Sequence, residues 1–154
     1  MRQTILIFAA LTIVGGNAMG GRLTTVIEKA TAPGVKIVNG EIKLSVGEFN
    51  LSKGDSVPDL IATIDGDYDE NRYLYDYDFD PSGQRADLLF GSELRSRFHT
   101  NIDGNDNRWE LGLSPDVEWR LKGDIGAAKA TLDLGGLSVS ELQFDVGAAD
   151  ARIG

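Results

Sequence analysis

Apolar and polar residues alternate along most of this chain, and no other feature limits its fold so strongly. Trp109, Leu111 and Leu113 are each separated by one polar or glycine residue, and several other segments follow the same pattern. A period of two is typical of a β-strand that is buried on one face and solvated on the other. Turn sequences rich in glycine interrupt the alternation, and no long segment has the 3.6-residue period of a helix. We therefore predict an all-β protein.

A repeat of 21 residues refines this prediction. The segment Leu121–Ala130 aligns with Leu142–Ala151, and the leucine, an aspartate, a glycine and three alanines are identical in the two copies. One strand–turn–strand unit per repeat is typical of a β-solenoid, in which successive coils stack on one another. The pattern alone leaves a β-sandwich or a barrel equally open. In each copy, small residues follow a strand and are expected to form a structural turn: Gly126, Ala127, Ala128, Gly147, Ala148 and Ala149.

The segment from residue 105 to 154 resembles the toast-rack domains of bacterial envelope proteins. The resemblance rests on an N-x-W-x-L-x-L run at Asn107–Leu113, a following G-A-x-x-A turn block from Gly126, and a second Gly-Ala turn at Gly147. Similar domains occur in LiaF-type cell-wall-stress proteins and in exported proteins described as adhesin-like. The resemblance implies a β-solenoid of short strands and no known catalytic residue. Both turns here read Gly-Ala-Ala where the family also uses Gly-Ala-Gly, which questions the backbone conformation at Ala128 and Ala149.

The N-terminal segment has the layout of a secretory signal peptide. Arg2 precedes an apolar run of about ten residues, and small residues follow at Gly16, Ala18 and Gly20. We expect residues 1–20 to be a signal peptide and residues 22–154 to form one toast-rack-like β domain. Because the chain stops inside the second repeat copy, we also expect this domain to be incomplete at its C-terminus. These features predict an exported protein, periplasmic, on the cell surface or extracellular, with membrane contact only through an uncleaved N-terminal segment.

Composition excludes several classes of function. The chain has no cysteine and only one histidine, which excludes disulfide scaffolds, thiolate metal sites and multi-histidine metal sites. The formal net charge of -9 argues against nucleic-acid binding, which requires clustered lysine and arginine. The acidic stretch Asp65–Glu70 and the cluster Asp103–Asn107 do not fit a calcium-binding loop, because the glycine that the loop needs at its sixth position is replaced. His99 lacks the sequence context of a catalytic triad. We expect no catalytic residue, no metal and no cofactor.

One strand carries the main candidate binding residues. Tyr73, Tyr75, Tyr77 and Phe79 alternate with Leu74 and three aspartates, so four aromatic side chains share one face. This face is either part of the core or a platform that stacks on sugars or on another protein. The sequence thus predicts a non-enzymatic exported envelope domain that acts in interactions or in the envelope-stress response. The alternative is a secreted adhesin or carbohydrate-binding module, and the partner in either case is a protein or a cell-envelope glycan.

Overall fold

The computed structural model describes residues 9–10, 23–95, 106–147 and 150–154. These residues form strands joined by turns, and none of them lies in a helix, so the prediction of an all-β fold is confirmed. The strands are β1 (Ala9–Ala10), β2 (Leu23–Thr31), β3 (Ile37–Lys53), β4 (Leu60–Asp69), β5 (Tyr73–Ser82), β6 (Arg85–Leu94), β7 (Asn107–Leu113), β8 (Glu118–Leu132), β9 (Ser138–Val146) and β10 (Asp150–Ile153).

Parallel pairing stacks these strands into four rungs, each with a first and a second half. The first rung consists of β6 and β7, the second of β3, the third of β8, and the fourth of β9 and β10. The long strand β3 pairs with β6 over Ile37–Leu44 and with β7 over Glu48–Lys53, so one strand supplies both halves of its rung. On its other side β3 pairs with β8 along nearly its whole length. The stack is therefore a short solenoid.

Antiparallel strands extend the stack beyond the first rung. In the first halves, β5 pairs with β6. In the second halves, β4 pairs with β7, β2 pairs with β4, and the two residues of β1 pair with Ile27 and Glu28 of β2. The two ends of the stack therefore differ, with antiparallel edge strands at one end and the parallel rung β9–β10 at the other.

The 21-residue repeat in the sequence corresponds to the pairing register between the third and fourth rungs. Leu121 lies opposite Leu142 and Lys129 opposite Asp150, in both cases 21 residues apart. A bulge after Trp119 shifts the pairing by one residue, so Trp119 lies opposite Val139. Stacking one copy directly on the other places like side chains in the same row, which explains why the two copies are similar in sequence.

The core lies between the two halves of the rungs. Trp109 and Trp119 are almost completely buried, and aromatic rings from opposite halves are in contact. The Trp109 ring stacks on Tyr75 with 5.1 Å between centroids and meets the edge of Phe90 at 5.0 Å. Gly66 of β4 lies beside Trp109, and a Cβ atom there would be 2.3 Å from the indole ring. The glycine thus leaves the space that the tryptophan fills.

Asn107 joins the two halves at the corner of the stack. Its Nδ2 donates to the Val46 carbonyl at 2.6 Å, while its Oδ1 accepts hydrogen bonds from the Trp109 indole at 2.6 Å and the Ser92 hydroxyl at 2.7 Å. The side chain is fully buried. Its bonds to Val46 of β3 and Ser92 of β6 hold neighbouring strands at the bend, while its bond to Trp109 orients the indole within β7. The neighbouring Gly47 has φ of 135°, and a Cβ atom there would overlap the Asn107 carbonyl.

Of the predicted turn residues, Gly126, Ala127 and Ala128 lie inside the continuous strand β8 at this same corner, where Ala127 pairs with Val46 and Ala128 with Gly47. A Cβ atom on Gly126 would lie 2.4 Å from the Ser45 carbonyl oxygen, so the residue is small because the next rung passes close by. Ala128 is buried, and it is not among the described residues with positive φ, so alanine fits this backbone without strain. Gly147 stacks on Gly126. Ala148 and Ala149 lie outside the described residues.

Candidate functional site

A groove crosses the outer surface of the first halves of the rungs. It has a volume of about 510 Å³ and is bordered by side chains from five neighbouring strands. One row of these side chains is in register across the strands: Asp87 of β6, Asn39 of β3, Arg120 of β8 and Glu141 of β9. We call this surface the outer groove and define its polar residues as Asn39, Glu41, Asp78, Asp87, Arg120, Lys122 and Glu141.

Charges at the centre of the outer groove are paired. Glu41 accepts from Lys43 at 3.0 Å and lies 3.5 Å from the Lys122 ammonium. The hydrogen bond from Lys43 lowers the pKa of the Glu41 carboxyl, so Glu41 stays ionised. Asn39 donates to Asp87 at 2.8 Å, which orients the amide within the row. The centre of the groove is therefore ordered by contacts within the protein.

The rims of the outer groove are open to a ligand. Asp78 and Glu141 are exposed on opposite sides, and within the described ranges the carboxylate of neither residue has an ion pair or hydrogen bond. Arg120 lies between them, with its Nε 3.7 Å from Glu118. Carboxylate, amide and guanidinium groups together offer fixed donors and acceptors, which suit a ligand with many hydroxyl groups. Four strand spacings separate the two rims, about 19 Å, so an extended ligand fits better than a compact one.

The aromatic strand Tyr73–Phe79 is β5, at the edge of the first halves. Tyr73 and Phe79 are buried in the core, while Tyr75 and Tyr77 are partly buried and point inward. The Tyr75 ring is occupied by its stacking on Trp109. The solvent face of this strand carries Leu74, Asp76, Asp78 and Asp80, all exposed. The structure thus brings the four aromatic residues together on one face, and that face is directed toward the core.

A polar cluster lies between the edge strands β2 and β5. The Glu28 Oε2 atom and the hydroxyl groups of Tyr75 and Tyr77 are buried, and none of the three has a hydrogen-bond partner among the described residues. Burial raises the pKa of the Glu28 carboxyl. Burial and the nearby Glu28 charge raise the pKa of Tyr75, and they raise that of Tyr77 to about 12. We call Glu28, Tyr75 and Tyr77 the edge cluster.

The acidic stretch Asp65–Glu70 divides between surface and turn. Asp67 accepts a hydrogen bond from the Thr25 hydroxyl, and the buried Asp69 accepts one from the backbone N–H of Asn71 at 2.9 Å. In the described part of the chain, no three acidic or histidine side chains gather in a way that could hold a metal ion. His99 and residues 103–105 lie outside the described residues. Of the residues described, none belongs to a helix with the length and hydrophobicity needed to cross a membrane.

Sequence reasoning did not identify the outer groove or the edge cluster. The groove residues come from strands far apart in the chain, and each alone looks like an ordinary solvated position in an alternating strand. Among these residues, Glu28 is the one that the alternating sequence pattern could have indicated, because it occupies an inward position of β2 between the buried Val26 and Ala30. A charged residue at an inward position is unusual and marks a site to examine.

One solved structure agrees with this architecture. A solved structure of a proposed cell adhesion protein from Clostridium sporogenes superposes with a TM-score of 0.71 at 16% identity, over 81% of this chain and 58% of that one. A proposed adhesin from Parabacteroides distasonis aligns with a TM-score of 0.40 at 16% identity, over 86% of this chain and 57% of that one. This chain thus spans a little over half the length of these structures.

Sequence comparison gives the family. No curated protein sequence matches the chain. The family described as the N-terminal domain of toast_rack, DUF2154, matches residues 19–154. This match covers most of the chain and confirms the resemblance seen in its strand and turn motifs, so the chain belongs to the toast-rack N-terminal domain family.

Proposed function

We propose that this chain is a non-enzymatic, exported envelope domain that binds an extended glycan of the cell envelope in the outer groove. The observation that carries the proposal is the register row Asp87, Asn39, Arg120 and Glu141, which crosses four strands on one accessible surface. Similarity to proposed adhesion proteins supports a binding role at the cell surface. The signal-peptide layout of residues 1–20 supports export.

The chemistry of the groove favours a hydroxyl-rich ligand over a nucleic acid or an apolar molecule. Carboxylate side chains outnumber cationic ones along the row, which repels phosphate backbones. The side chains that face solvent are polar, so an apolar ligand gains little by binding there. Amide, carboxylate and guanidinium groups pair in a bidentate manner with neighbouring hydroxyls of a sugar ring.

A glycan array of cell-envelope polysaccharides tests the proposal. The wild-type chain is expected to bind a subset of extended glycans, and the double variant Asn39→Ala/Arg120→Ala is expected to weaken binding at least about tenfold. The matched control is Asn50→Ala/Arg108→Ala, which removes the same residue types from the outer surface of the second halves, where both residues are exposed. Equal binding by the two double variants, or no binding by the wild type, would contradict the proposal.

The second candidate is a carbohydrate-binding role for the aromatic strand itself. It would use the partly exposed ring edges of Tyr75 and Tyr77, because the hydroxyl groups of both residues are buried. The variant Tyr75→Leu/Tyr77→Leu removes both rings and keeps apolar side chains at these inward positions. If this variant loses glycan binding while Asn39→Ala/Arg120→Ala keeps it, the ligand contacts β5 and not the outer groove.

A role in the envelope-stress response is the third part of the proposal, because the motifs from Asn107 onward resemble the toast-rack domains of LiaF-type cell-wall-stress proteins. A histidine kinase encoded beside this protein would support it. Export is tested separately by fractionation of the native host: mature protein that begins after about residue 20 supports a cleaved signal peptide, and full-length protein retained in the cytoplasm would contradict it.

A further inference from the structure

Strand β5 lies at the edge of the first halves and is paired on one side only. All ten of its residues pair with β6 in a single register without a bulge. On the other side of β5, the described part of the chain supplies no strand. The edge strand of the second halves differs, because β1 is paired with part of β2. A long, regular edge that carries neither a bulge nor a lysine is a place where another strand can add.

The solvent face of β5 carries three exposed carboxylates at alternate positions, Asp76, Asp78 and Asp80. Within the described ranges, none of them has an ion pair. Their partners across the ladder in β6 are a glycine, a leucine and an aspartate, so β6 offers them no cation. Lys43 lies in the same row as Asp76 but two strands away, and its ammonium already binds Glu41 at 3.0 Å. The row of carboxylates therefore lies beside the open edge with its charge uncompensated.

The hydrogen-bond pattern of the β5–β6 hairpin shows which backbone groups face this edge. The Arg95 amide donates to the Arg72 carbonyl at 2.8 Å, and hydrogen-bonded and non-hydrogen-bonded pairs alternate from there along the ladder. The three aspartates therefore bond to β6 through their backbone. The backbone N–H and C=O groups of three other residues point away from β6, toward the open edge: Tyr75, Tyr77 and Phe79.

The charge of the row disfavours a second copy of β5 as the partner. Antiparallel pairing of two β5 edges would place the aspartates of one opposite the aspartates of the other, because backbone direction and outer face both repeat at every second residue. Like charges directly opposite one another are destabilising. A strand with cations at alternate positions instead matches the row in both spacing and sign.

From this arrangement we propose that the β5 edge accepts an antiparallel strand of another protein, which carries lysine or arginine opposite Asp76, Asp78 and Asp80. Opposite residues at these positions form non-hydrogen-bonded pairs, in which the side chains lie closer together than in bonded pairs. Backbone pairing supplies affinity and the carboxylates select the partner by charge. This interaction is separate from glycan binding, although Asp78 borders both surfaces.

The first test measures charge selection by the full-length chain. The probe is a fluorescein-labelled peptide in which four valines alternate with three lysines, and its matched control carries glutamine in place of each lysine. The wild type is expected to bind the lysine peptide about tenfold more tightly, measured by fluorescence anisotropy.

Variants of the chain locate the peptide. Asp76→Asn/Asp80→Asn should lower the affinity for the lysine peptide about fivefold, and Asp78 is left unchanged because it borders the outer groove. The matched control is Asp65→Asn/Asp124→Asn, which removes the same charge from exposed positions on strands that are paired on both sides. This control should bind the lysine peptide nearly as tightly as the wild type does.

The second test determines whether the peptide adds as a strand. In the proposed register the valine N–H groups donate to β5, whereas the lysine N–H groups point away from it. N-methylation of the two central valines is expected to weaken binding at least about tenfold. N-methylation of two lysines keeps the same charges and should have little effect.

Three results would overturn the proposal. Equal affinity of the wild type for the lysine and glutamine peptides, or no binding of either, excludes selection by charge. Equal losses for the two aspartate double variants reduce the interaction to general attraction by a chain of net charge -9. Lysine methylation that weakens binding as much as valine methylation excludes the antiparallel strand. Neither Asn39 nor Arg120 is changed in these experiments, so their results are independent of the glycan array.

Discussion

The central rungs and the last rung carry the same pattern of side chains but bury them to different extents. In one row across the second halves, Leu111, Leu51 and Leu132 are each no more than 2% exposed, whereas Ile153 at the end of that row is 56% exposed. In the first halves, Ile125 is fully buried and its neighbour Val146 is 41% exposed. At the β9–β10 end, inward side chains are therefore left exposed because no further described strand covers them, whereas Tyr73 and Phe79 of the edge strand β5 at the other end are buried, so alternation alone does not create a core.

The largest expected effect comes from the corner that joins the central rungs. Asn107→Ala removes three hydrogen bonds and leaves the Trp109 indole, the Ser92 hydroxyl and the Val46 carbonyl without partners. We expect the free energy of unfolding to fall by about 3 kcal/mol or more, measured by urea denaturation. The control is Asn39→Ala, which removes one exposed hydrogen bond and should cost less than about 1 kcal/mol. Similar losses for the two variants would show that the buried hydrogen bonds of Asn107 contribute no more to stability than one exposed hydrogen bond.

Two alanine substitutions in one row, Leu111→Ala and Ile153→Ala, test the difference in burial directly. Leu111→Ala is expected to lower the free energy of unfolding by about 2–5 kcal/mol, because the cavity lies between two rungs. Ile153→Ala in the same row should change it by only about 0.5 kcal/mol, since the side chain is mostly exposed. Urea denaturation of both variants gives the two values. A large loss for Ile153→Ala would mean that the last rung is covered in solution.

Two glycine-to-alanine substitutions compare how crowded the corner is in a central rung, at Gly126, and in the last rung, at Gly147. Gly126→Ala places a methyl group 2.4 Å from the Ser45 carbonyl oxygen and is expected to cost about 1–3 kcal/mol. Gly147→Ala, one rung further out, meets Gly126 at 3.6 Å, which is ordinary contact, and should be nearly neutral. Thermal unfolding followed by circular dichroism separates the two. If Gly147→Ala is as costly as Gly126→Ala, the outer corner is as crowded as the inner one.

The smallest effect is expected at the opposite end of the stack and depends on pH. Because burial raises the pKa of Glu28, the folded protein binds this proton more tightly than the unfolded chain does. Stability is therefore lost as the pH rises from the ordinary glutamate pKa through the raised value. Glu28→Gln should melt at a higher temperature than wild type at neutral pH, and the two should converge below pH ~4. A difference that does not change with pH would show that Glu28 is not desolvated.

The sequence was most informative where neighbouring strands in space are also neighbours in the chain. The repeat that begins at Leu121 and Leu142 matches the register between β8 and β9, and the buried tryptophans lie on the apolar faces that alternation indicates. It was least informative about β3, which occupies the second rung although it precedes β6 and β7 in the chain. Pairing between residues 81 positions apart, such as Leu44 and Ile125, leaves no local signal.

Pairing between strands that are far apart in the chain also limited the prediction of the candidate sites. Asn39 and Arg120 become neighbours only through the pairing of β3 with β8, so the outer groove exists only after the rungs have stacked. For β5, the alternation of residues indicated one aromatic and one mainly acidic face, but it left open whether the aromatic face belongs to the core or forms a binding platform. That choice follows from the packing of Tyr75 against Trp109, a residue of the other half of the first rung.

The order of the rungs also has a consequence for how the chain folds. Strand β3 is synthesised before every strand that borders it, and both of its sides must stay without partners until β6, β7 and β8 are available. Proteins whose pairings span long sequence separations fold slowly, in roughly milliseconds to seconds. During that interval the inward residues of β3, including Phe49 and Leu51, are exposed and prone to aggregation. A chain of this topology therefore completes its fold only after nearly all of it has been released, which is compatible with passage through a translocation channel as an unfolded polypeptide.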